Sequence, residues 1–276
     1  MADVHIIPND TDINQPDFCF YNENCQVRLA RSHDEIIKAQ ELRYHVFYEI
    51  MNAKPSAENA RLKRDIDGFD DICDHLLVID TSNPDAHRVV GNYRLLCADV
   101  TKQADYFYSH QEYNLENMLK RAAVDCTRIL ELGRSCVHPD FRSSSILQML
   151  WRGIVAYAVQ KQVGLMFGCA SFSGTDISVI KNDLAYLHHY RLAPDAWRAT
   201  ARDELYVDMH SDDIDKTLSD QDMLAKMPPL IKGYLRLGAW VGDGAVIDQA
   251  FSTTDILIIL PVSNISKRYL DFLGRA

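Results

Sequence analysis

Hydrophobic and polar positions alternate most clearly over residues 129–137, and this alternation predicts a mostly buried β-strand. Glu131 and Arg134 lie on opposite faces of that strand, where burial of either charge is costly unless it has a partner. His138-Pro-Asp ends the strand, because proline cannot extend a central ladder. Apolar residues then recur with helical spacing, which predicts a helix from Ile146 to about Gln160.

The same patterns predict elements on both sides of this stretch. Val27 opens the first strand, and Ser32-His-Asp-Glu35 is a capping box that starts a helix. Gly91 is a candidate β-bulge. Further strands are predicted at 75–80, 89–96, 164–170, 204–209, 245–251 and 254–262, and further helices at 115–124 and 176–189. This order fits an α/β fold with a mixed central sheet flanked by helices.

We predict a loose N-terminal arm over residues 1–26, which lack periodicity, and one domain over residues 27–276 that includes a C-terminal extension. The composition, 47% hydrophobic and 25% charged, is that of an ordinary soluble protein. The formal net charge of -10 argues against broad binding to nucleic acid. Seven cysteines without C-x-x-C spacing, and no signal peptide or long apolar run, predict a cytoplasmic protein with free thiols.

Three groups of residues could carry chemistry. Glu131 is either a strand carboxylate in a structural ion pair or a general base that deprotonates an ammonium group. Arg43, Arg94 and Arg134 each interrupt an apolar pattern, and they bind either a substrate carboxylate or the neighbouring acidic run, which contains Asp67 and Asp70. Those aspartates either bind ammonium groups or form a solvated loop. The polar segment before the predicted helix, Arg142, Ser143, Ser144 and Ser145, either holds a phosphate at the helix start or only caps the helix.

Several longer sequence segments resemble those of a known family. Strand residues followed by Arg142-x-x-x at a helix start resemble the acyl-donor site of the GNAT N-acyltransferases. The segments 131–142, 42–47, 168–171 and 228–238 resemble one branch of the GNAT N-acyltransferases. This branch is the bacterial L-ornithine N-alpha-acyltransferases of ornithine-lipid synthesis, which are also labelled hemolysins. The likeness spans about Val27 to Phe272.

The resemblance implies a GNAT-like fold and transfer of a 3-hydroxy fatty acyl group from acyl carrier protein to the alpha-amine of L-ornithine. The product would be lyso-ornithine lipid. It implies that Glu131 is the base, that no metal or redox cofactor is needed, and that any membrane contact is peripheral, at the inner face. The acyl-homoserine-lactone synthases share a similar residue pattern, which suggests a shared fold and site rather than the same product. In this chain the pattern falls on Arg43, Phe47, Asp67, Asp70, Arg94, Glu131 and Arg134.

The donor loop departs from the common GNAT pattern, because Ser145 and Leu147 occupy positions where small residues admit a coenzyme A diphosphate. This favours the single phosphate of a carrier protein's phosphopantetheine arm. Arg142, Arg152 and Lys161 are the candidates for a basic carrier-docking face, and Arg152 is expected to be exposed.

Several alternatives stay open from the sequence alone. The enzyme could acylate another amino acid or act as a homoserine-lactone-type synthase, whereas a pore-forming hemolysin is disfavoured by the lack of a spanning segment. Cys136 or Cys169 could relay an acyl group, although no histidine is placed by the sequence to activate either thiol. His188-His189 lacks metal-site spacing. Residues 230–237 form an amphipathic segment that either packs in the core or contacts a membrane.

Overall fold

The structure is a computed structural model that describes residues 18–82, 88–211 and 219–267. The described residues form two compact units, which the chain enters more than once. The first unit contains residues 18–82, 88–97, 132–162 and 267, and the second contains residues 98–131, 163–211 and 219–266.

Helices and strands are labelled in chain order. The strands are β1 Phe20–Tyr21, β2 Cys25–Leu29, β3 Asp74–Asp80, β4 Arg88–Asp99, β5 Tyr113–Asn114, β6 Arg128–Val137, β7 Val163–Ser173, β8 Thr200–Ala201, β9 Trp240–Val241, β10 Val246–Asp248 and β11 Thr253–Pro261. The α-helices are α1 His33–Tyr44, α2 Ala57–Leu62, α3 Glu116–Asp125, α4 Ser144–Gln160, α5 Ile177–Arg191, α6 Asp220–Lys226 and α7 Pro229–Arg236. A π-helical segment, His45–Ile50, follows α1 directly.

In the first unit, β1, β2, β3 and β4 pair in that order as antiparallel neighbours, and the last part of β6 follows β4. The β3–β4 register shifts between Val78 and Ile79, opposite Gly91 and Val89. The irregularity predicted at Gly91 is therefore present. Such irregularities generally increase the local twist of a strand pair.

Helix α4 supplies the main apolar layer over β2 and β3. Leu150, Trp151, Ile154 and Ala158 are buried, as the helical stripe predicts. Gly153 allows the close approach, because a Cβ atom at this position would lie 2.8 Å from a methyl group of Leu76. The helix begins two residues earlier than predicted, and Ser143 caps it by accepting a hydrogen bond from the backbone N–H of Ile146 at 3.3 Å.

Helix α1 begins where the capping box predicts, but only half of the box forms. The Ser32 hydroxyl accepts from the backbone N–H of Glu35 at 3.3 Å. The Glu35 carboxylate instead accepts from the backbone N–H of Arg31 at 2.7 Å and pairs with Arg28 at 2.7 Å. The helix then widens into the π-helical segment that contains Phe47, a change of helix type that apolar periodicity alone does not reveal.

In the second unit, β6 pairs with β7 in parallel, β7 pairs with β11 antiparallel, and β10 and β9 both pair with β11 antiparallel. Parallel and antiparallel pairs together confirm the predicted mixed sheet. Helix α3 packs on β7, and α7 packs on β7 and β11. Ile231, Tyr234 and Leu235 of α7 are buried, so the amphipathic segment packs in the core of this unit.

Some local predictions were wrong, and others fall outside the described residues. Residues 204–209 form no strand, and only Val207 bridges to Ala245 there. Residues 57–62 form α2, a helix that the sequence patterns did not predict. Residues 1–17 of the predicted arm are not described, and its last part contributes to β1 and β2. The single domain over residues 27–276 stays a prediction. Throughout the described ranges, no helix is both long and apolar enough to cross a membrane.

Candidate active site

Six charged side chains meet in the first unit, contributed by four separate parts of the chain. Arg43 comes from α1, Arg94 from β4 and Arg134 from β6. The carboxylates come from the irregular segment between α2 and β3: Asp65, Asp67 and Asp70. We call this set the charge ring.

Arg43 forms the most deeply buried part of the charge ring. Its Nε atom lies 2.8 Å from Asp65 Oδ2, and its Nη2 atom lies 2.8 Å from Asp70 Oδ2. The same Nη2 atom donates to the backbone carbonyl of Asp65. The Arg43 side chain is fully buried, and both carboxylates are nearly so. Burying an unpaired guanidinium would be prohibitive, so these contacts are a condition of the fold.

Arg94 and Arg134 close the ring. Arg94 Nη1 lies 2.6 Å from Asp67 Oδ1 and 3.3 Å from Asp70 Oδ1. Arg134 Nε lies 3.1 Å from Asp65 Oδ2, and its Nη2 lies 3.1 Å from Asp67 Oδ2. Each arginine therefore contacts two aspartates, and each aspartate contacts two arginines. With three arginines and three aspartates, the formal charge of the ring is zero.

The charge ring shows which of the two sequence interpretations the geometry supports. The arginines pair with the acidic run, and the run is not a solvated loop, because Asp65 and Asp70 are buried. Within the ring, the side chains most exposed to solvent are those of Asp67, at 24%, and Arg134, at 13%. Substrate binding by the ring residues stays a prediction, and this edge is where a polar ligand has most access. Phe47 is buried in the π-helical segment, and its predicted substrate contact also stays a prediction.

Polar neighbours that the sequence did not reveal complete the ring. The Tyr48 hydroxyl donates to Asp65 Oδ1 at 2.8 Å, and Gln40 Nε2 donates to Asp70 Oδ2 at 3.1 Å. Burial, followed by the charge of Asp65, raises the pKa of Tyr48 to about 12, so this hydroxyl remains a donor. Gln40 and Tyr48 flank Arg43 by three and five positions, which was the available signal for their role.

Arg134 occupies an unusual backbone conformation. Its φ angle is +50°, in the left-handed region that non-glycine residues rarely adopt, so the regular alternation predicted along β6 breaks here. Asn92 Nδ2 donates to the Arg134 carbonyl at 2.9 Å, while the Arg134 guanidinium is held by two aspartates. Tertiary contacts on both the backbone and the side chain thus maintain a conformation that costs of order 1–3 kcal/mol.

Glu131 lies in the second unit and is held by backbone groups. Its Oε2 atom accepts from the N–H of Tyr108 at 2.8 Å, and its Oε1 atom accepts from the N–H of Ser109 at 2.7 Å. Both donors belong to a 3₁₀ turn, Tyr108–Gln111, within a segment that had no regular pattern in the sequence. The Glu131 residue is 5% exposed. The two amides fix the plane of the carboxylate and suit its ionised form.

The two candidate relay thiols are poor nucleophiles. Burial raises the pKa of Cys136 to about 12. Burial, followed by the charges of Glu112 and Asp255, raises the pKa of Cys169 well above its usual range. Because the thiolate is the reactive form, neither cysteine is activated at neutral pH, which argues against a covalent acyl relay.

The donor-loop segment lies at the start of α4. Arg142, Ser143, Ser144 and Ser145 are all exposed. Ser143 Oγ is used as the helix cap, and Ser145 Oγ accepts from Asn22 Nδ2 at 3.1 Å. Arg142 Nε donates to the Val137 carbonyl at 3.3 Å. Phosphate binding at this segment stays a prediction, with the exposed Arg142 guanidinium and the helix start as its candidate groups.

Arg152 is not the exposed docking residue that the sequence suggested. Its guanidinium lies 3.9 Å from the centre of the Phe20 ring, and the residue is half-buried. The stacking partner lies in β1, which the sequence did not predict. Of the candidate docking residues, Arg142 is the one with an exposed side chain.

Comparisons with known proteins identify the family to which this chain is similar. Residues 42–152 match the family model described as acetyltransferase (GNAT) domain, which confirms the predicted fold class. An L-ornithine N(alpha)-acyltransferase of Rhizobium meliloti is 48% identical over 255 residues, covering 91% of this chain and 84% of that protein. An L-ornithine N(alpha)-acyltransferase of Agrobacterium fabrum is 45% identical over 251 residues, covering 90% and 85%. Among solved structures, an N-acyl amino acid synthase from uncultured soil microbes is 9% identical with a TM-score of 0.45, covering 87% of this chain and 91% of that one.

The charge ring predicts an acid-sensitive contribution to stability. Burial would raise the pKa of Asp70, but Arg43, Arg94 and His75 outweigh burial and lower it from 3.8 to about 2. Because the folded pKa lies below the unfolded one, ionised Asp70 stabilises the fold above pH 4, and this contribution of roughly 2 kcal/mol is lost as the pH falls through 4 toward 2.

Urea unfolding between pH 2 and 7 measures this dependence. We expect Asp70→Asn to be less stable at pH 7 and to show a shallower loss of stability between pH 4 and 2. Asp203→Asn, at an exposed position in the second unit, is the matched control and should follow the wild type. Parallel pH dependence in the wild type and Asp70→Asn would contradict the assignment.

Proposed function

The chain belongs to the L-ornithine N(alpha)-acyltransferase family, and on this premise we propose that it transfers a 3-hydroxy fatty acyl group from acyl carrier protein to the alpha-amine of L-ornithine. The product is lyso-ornithine lipid. Membership of the family, at 48% identity over nine-tenths of the chain, is the observation that carries the choice of acceptor. The carrier-protein donor and the hydroxylated acyl chain are proposed from the sequence resemblance and from the donor loop.

Glu131 is the proposed general base. The alpha-ammonium of ornithine has no lone pair, so it must lose a proton before it attacks the thioester carbonyl. A carboxylate held by the amides of Tyr108 and Ser109 presents its oxygens in a fixed plane, which favours an aligned proton transfer, either directly or through one water. The burial of Glu131 limits competition from bulk water.

The acyl transfer breaks the C–S bond of the thioester and forms the C–N bond of an amide. The free amine attacks the carbonyl carbon, the carbonyl oxygen becomes an oxyanion, and collapse of this tetrahedral intermediate expels the phosphopantetheine thiolate. Glu131 releases the first proton to water, accepts the second proton from the nitrogen, and passes that proton to the departing thiolate, which leaves as a thiol. Backbone N–H groups over residues 133–136 are the proposed oxyanion donors, near the point where Arg134 departs from extended geometry.

We assign binding residues to both substrates, the acyl donor and the amino-acid acceptor. Arg142 and the start of α4 hold the phosphate of the phosphopantetheine arm. The exposed edge of the charge ring, Asp67 and Arg134, contributes to acceptor recognition, and the buried members support it. No metal or redox cofactor enters this mechanism. Because the product is a lipid, we include a peripheral contact with the inner face of the membrane in the proposal.

Lipid analysis tests the proposed function. Expression in a host that lacks aminolipids should give a new lipid whose mass equals ornithine plus a 3-hydroxy fatty acid, less water. Fragmentation should place the acyl group on the alpha-nitrogen. An expressed, folded protein that yields no such lipid, or one that carries glycine, lysine or glutamine instead, would contradict the choice of acceptor.

The base assignment predicts the behaviour of Glu131→Gln. We expect the turnover number at neutral pH to fall by about 100- to 10,000-fold, the range typical for loss of a general base. The glutamine NH₂ group must face one of the two backbone donors, so one hydrogen bond is lost and the Tm should also fall. Turnover is therefore measured on the folded fraction. Glu204→Gln, at an exposed position in the same unit, is the control.

The activity of Glu131→Gln should rise with pH more steeply than that of the wild type, because free amine becomes abundant without a base. Wild-type turnover in the folded variant at pH 7 would remove Glu131 from this role.

The donor assignment predicts a preference for long-chain acyl carrier protein over acetyl-CoA. Acyl carrier protein is acidic and this chain has a net charge of -10, so their encounter requires a local basic group. We expect kcat/KM for the carrier-protein donor to fall as salt rises, and to fall roughly tenfold in Arg142→Glu at low salt. Arg61→Glu, at an exposed position of α2, is the matched control.

Equal use of acetyl-CoA would overturn the choice of donor. Unchanged carrier-protein kinetics in Arg142→Glu at low salt would overturn the docking role of Arg142 and leave the donor choice standing.

A further inference from the structure

A second group of carboxylates converges in the second unit, separate from the charge ring. It consists of Glu112, Asp248 and Asp255, whose carboxylate oxygens lie within 4.8 Å of one another. Glu112 follows the 3₁₀ turn that holds Glu131, Asp248 ends β10, and Asp255 lies in β11. We call this group the acidic pocket. Carboxylates at this spacing repel one another when they are ionised, so the arrangement favours a bound cation.

A buried hydroxyl gives independent evidence for a ligand. Thr253 pairs directly with Asp248 across β10 and β11, and it lies two positions from Asp255 on the same strand. Directly paired residues and alternate residues share a sheet face, so the Thr253 side chain lies on the face of the acidic pocket. Thr253 is 3% exposed, and within the described residues its Oγ1 atom has no hydrogen-bond partner. A buried hydroxyl in that state is costly unless a ligand supplies the partner.

The acidic pocket is connected to the candidate base through two side chains. Cys169 Sγ lies 3.2 Å from Glu112 Oε2 and 3.7 Å from Ser109 Oγ. Ser109 in turn donates its backbone N–H to Glu131. The acidic pocket and the candidate base therefore share one local structure. The raised pKa of the Cys169 thiol, caused by burial and then by Glu112 and Asp255, is consistent with a negative local field.

We propose that the acidic pocket binds the side-chain ammonium of the amino-acid acceptor. This inference rests on the proposed function, because it assumes an acceptor with two amino groups. A primary ammonium carries three N–H donors and no acceptor, which complements three carboxylates and a hydroxyl oxygen. The alpha-amine must lose its proton to react, whereas the side-chain amine must keep its proton so that it does not compete. A concentration of carboxylates stabilises that charged form.

A divalent metal ion is the competing occupant. Mg²⁺ and Ca²⁺ require six or more oxygen ligands, and Asp248 Oδ1 already accepts from the backbone N–H groups of Ala250 and Phe251 at 2.7 and 2.9 Å. The connection to Glu131 through Ser109 and Cys169 favours the substrate ammonium instead. Metal binding is therefore an outcome of the test.

The test compares L-ornithine with L-norvaline, which has the same carbon chain without the side-chain amine. Direct binding is measured by calorimetry, and acylation is measured by product mass. We expect wild type to bind ornithine much more tightly than norvaline. Asp255→Asn should weaken ornithine binding at least tenfold and leave norvaline binding unchanged. Asp203→Asn should keep the wild-type discrimination.

Thr253→Val separates ligand recognition from folding. Valine has the shape of threonine without the hydroxyl, so removing the partnerless oxygen should leave the Tm of the ligand-free protein unchanged or raise it. Ornithine binding should weaken by several-fold in the same variant. Together these results would support a role of the Thr253 hydroxyl in ligand binding. Loss of a purely structural hydroxyl would not leave the Tm unchanged or higher while weakening the affinity for ornithine.

The outcomes distinguish this inference from the proposed function. Wild-type acylation of ornithine with unchanged discrimination in Asp255→Asn and Thr253→Val would overturn the acidic pocket and leave the function standing. Ornithine binding that is lost in both variants, without acylation by wild type, would support the pocket while the proposed function fails. Binding of Mg²⁺ or Ca²⁺ that is lost in Asp255→Asn, with unchanged ornithine discrimination, would assign the pocket to a metal.

Discussion

The buried charge of Arg43 is the constraint on which the first unit depends. A fully buried guanidinium is tolerable only if carboxylates surround it, and Asp65 and Asp70 can reach it only if the segment between α2 and β3 folds back over α1. That segment in turn brings Asp67 to Arg94 and Arg134, which ties β4 and β6 to the same cluster. Because each member has two partners, the energetic effects of substitutions within the charge ring should be strongly non-additive.

The two sets of buried carboxylates are stabilised differently, and the difference bears on chemistry. In the charge ring, each carboxylate contacts two guanidinium groups, which offset its charge. Glu131 accepts hydrogen bonds from the backbone amides of Tyr108 and Ser109, which orient its carboxylate. A base needs an oriented carboxylate, so this arrangement supports the proposed role of Glu131 in proton transfer.

The sequence predicted features that depend on local periodicity, and it missed those that depend on distant partners. The buried strand around Glu131 and the helix after Ser143 follow from apolar spacing, and both are present. The positive φ angle of Arg134 depends on Asn92 and two aspartates from elsewhere in the chain, so no local pattern could reveal it. The donors to Glu131 lie in a turn without periodicity. Residues 204–209 show the opposite error, in which a local pattern predicts a strand that does not form. This segment makes only a single bridge, between Val207 and Ala245.

The net charge of -10 acts in opposite directions on the two proposed substrates. Ornithine carries two ammonium groups, so the overall field attracts it and the acidic pocket concentrates that attraction where Glu112, Asp248 and Asp255 converge. The proposed acyl carrier protein would be repelled by the same field, and the exposed Arg142 at the start of α4 is the local cation proposed to offset that repulsion. Raising the salt concentration should therefore weaken the encounter with the carrier through the loss of one local attraction, while the partly buried pocket is screened much less. A single acidic protein could accept both proposed substrates, a small cation and a large anion, because exposed charges act mainly within about 10 Å and recognition then depends on local charges rather than on the total.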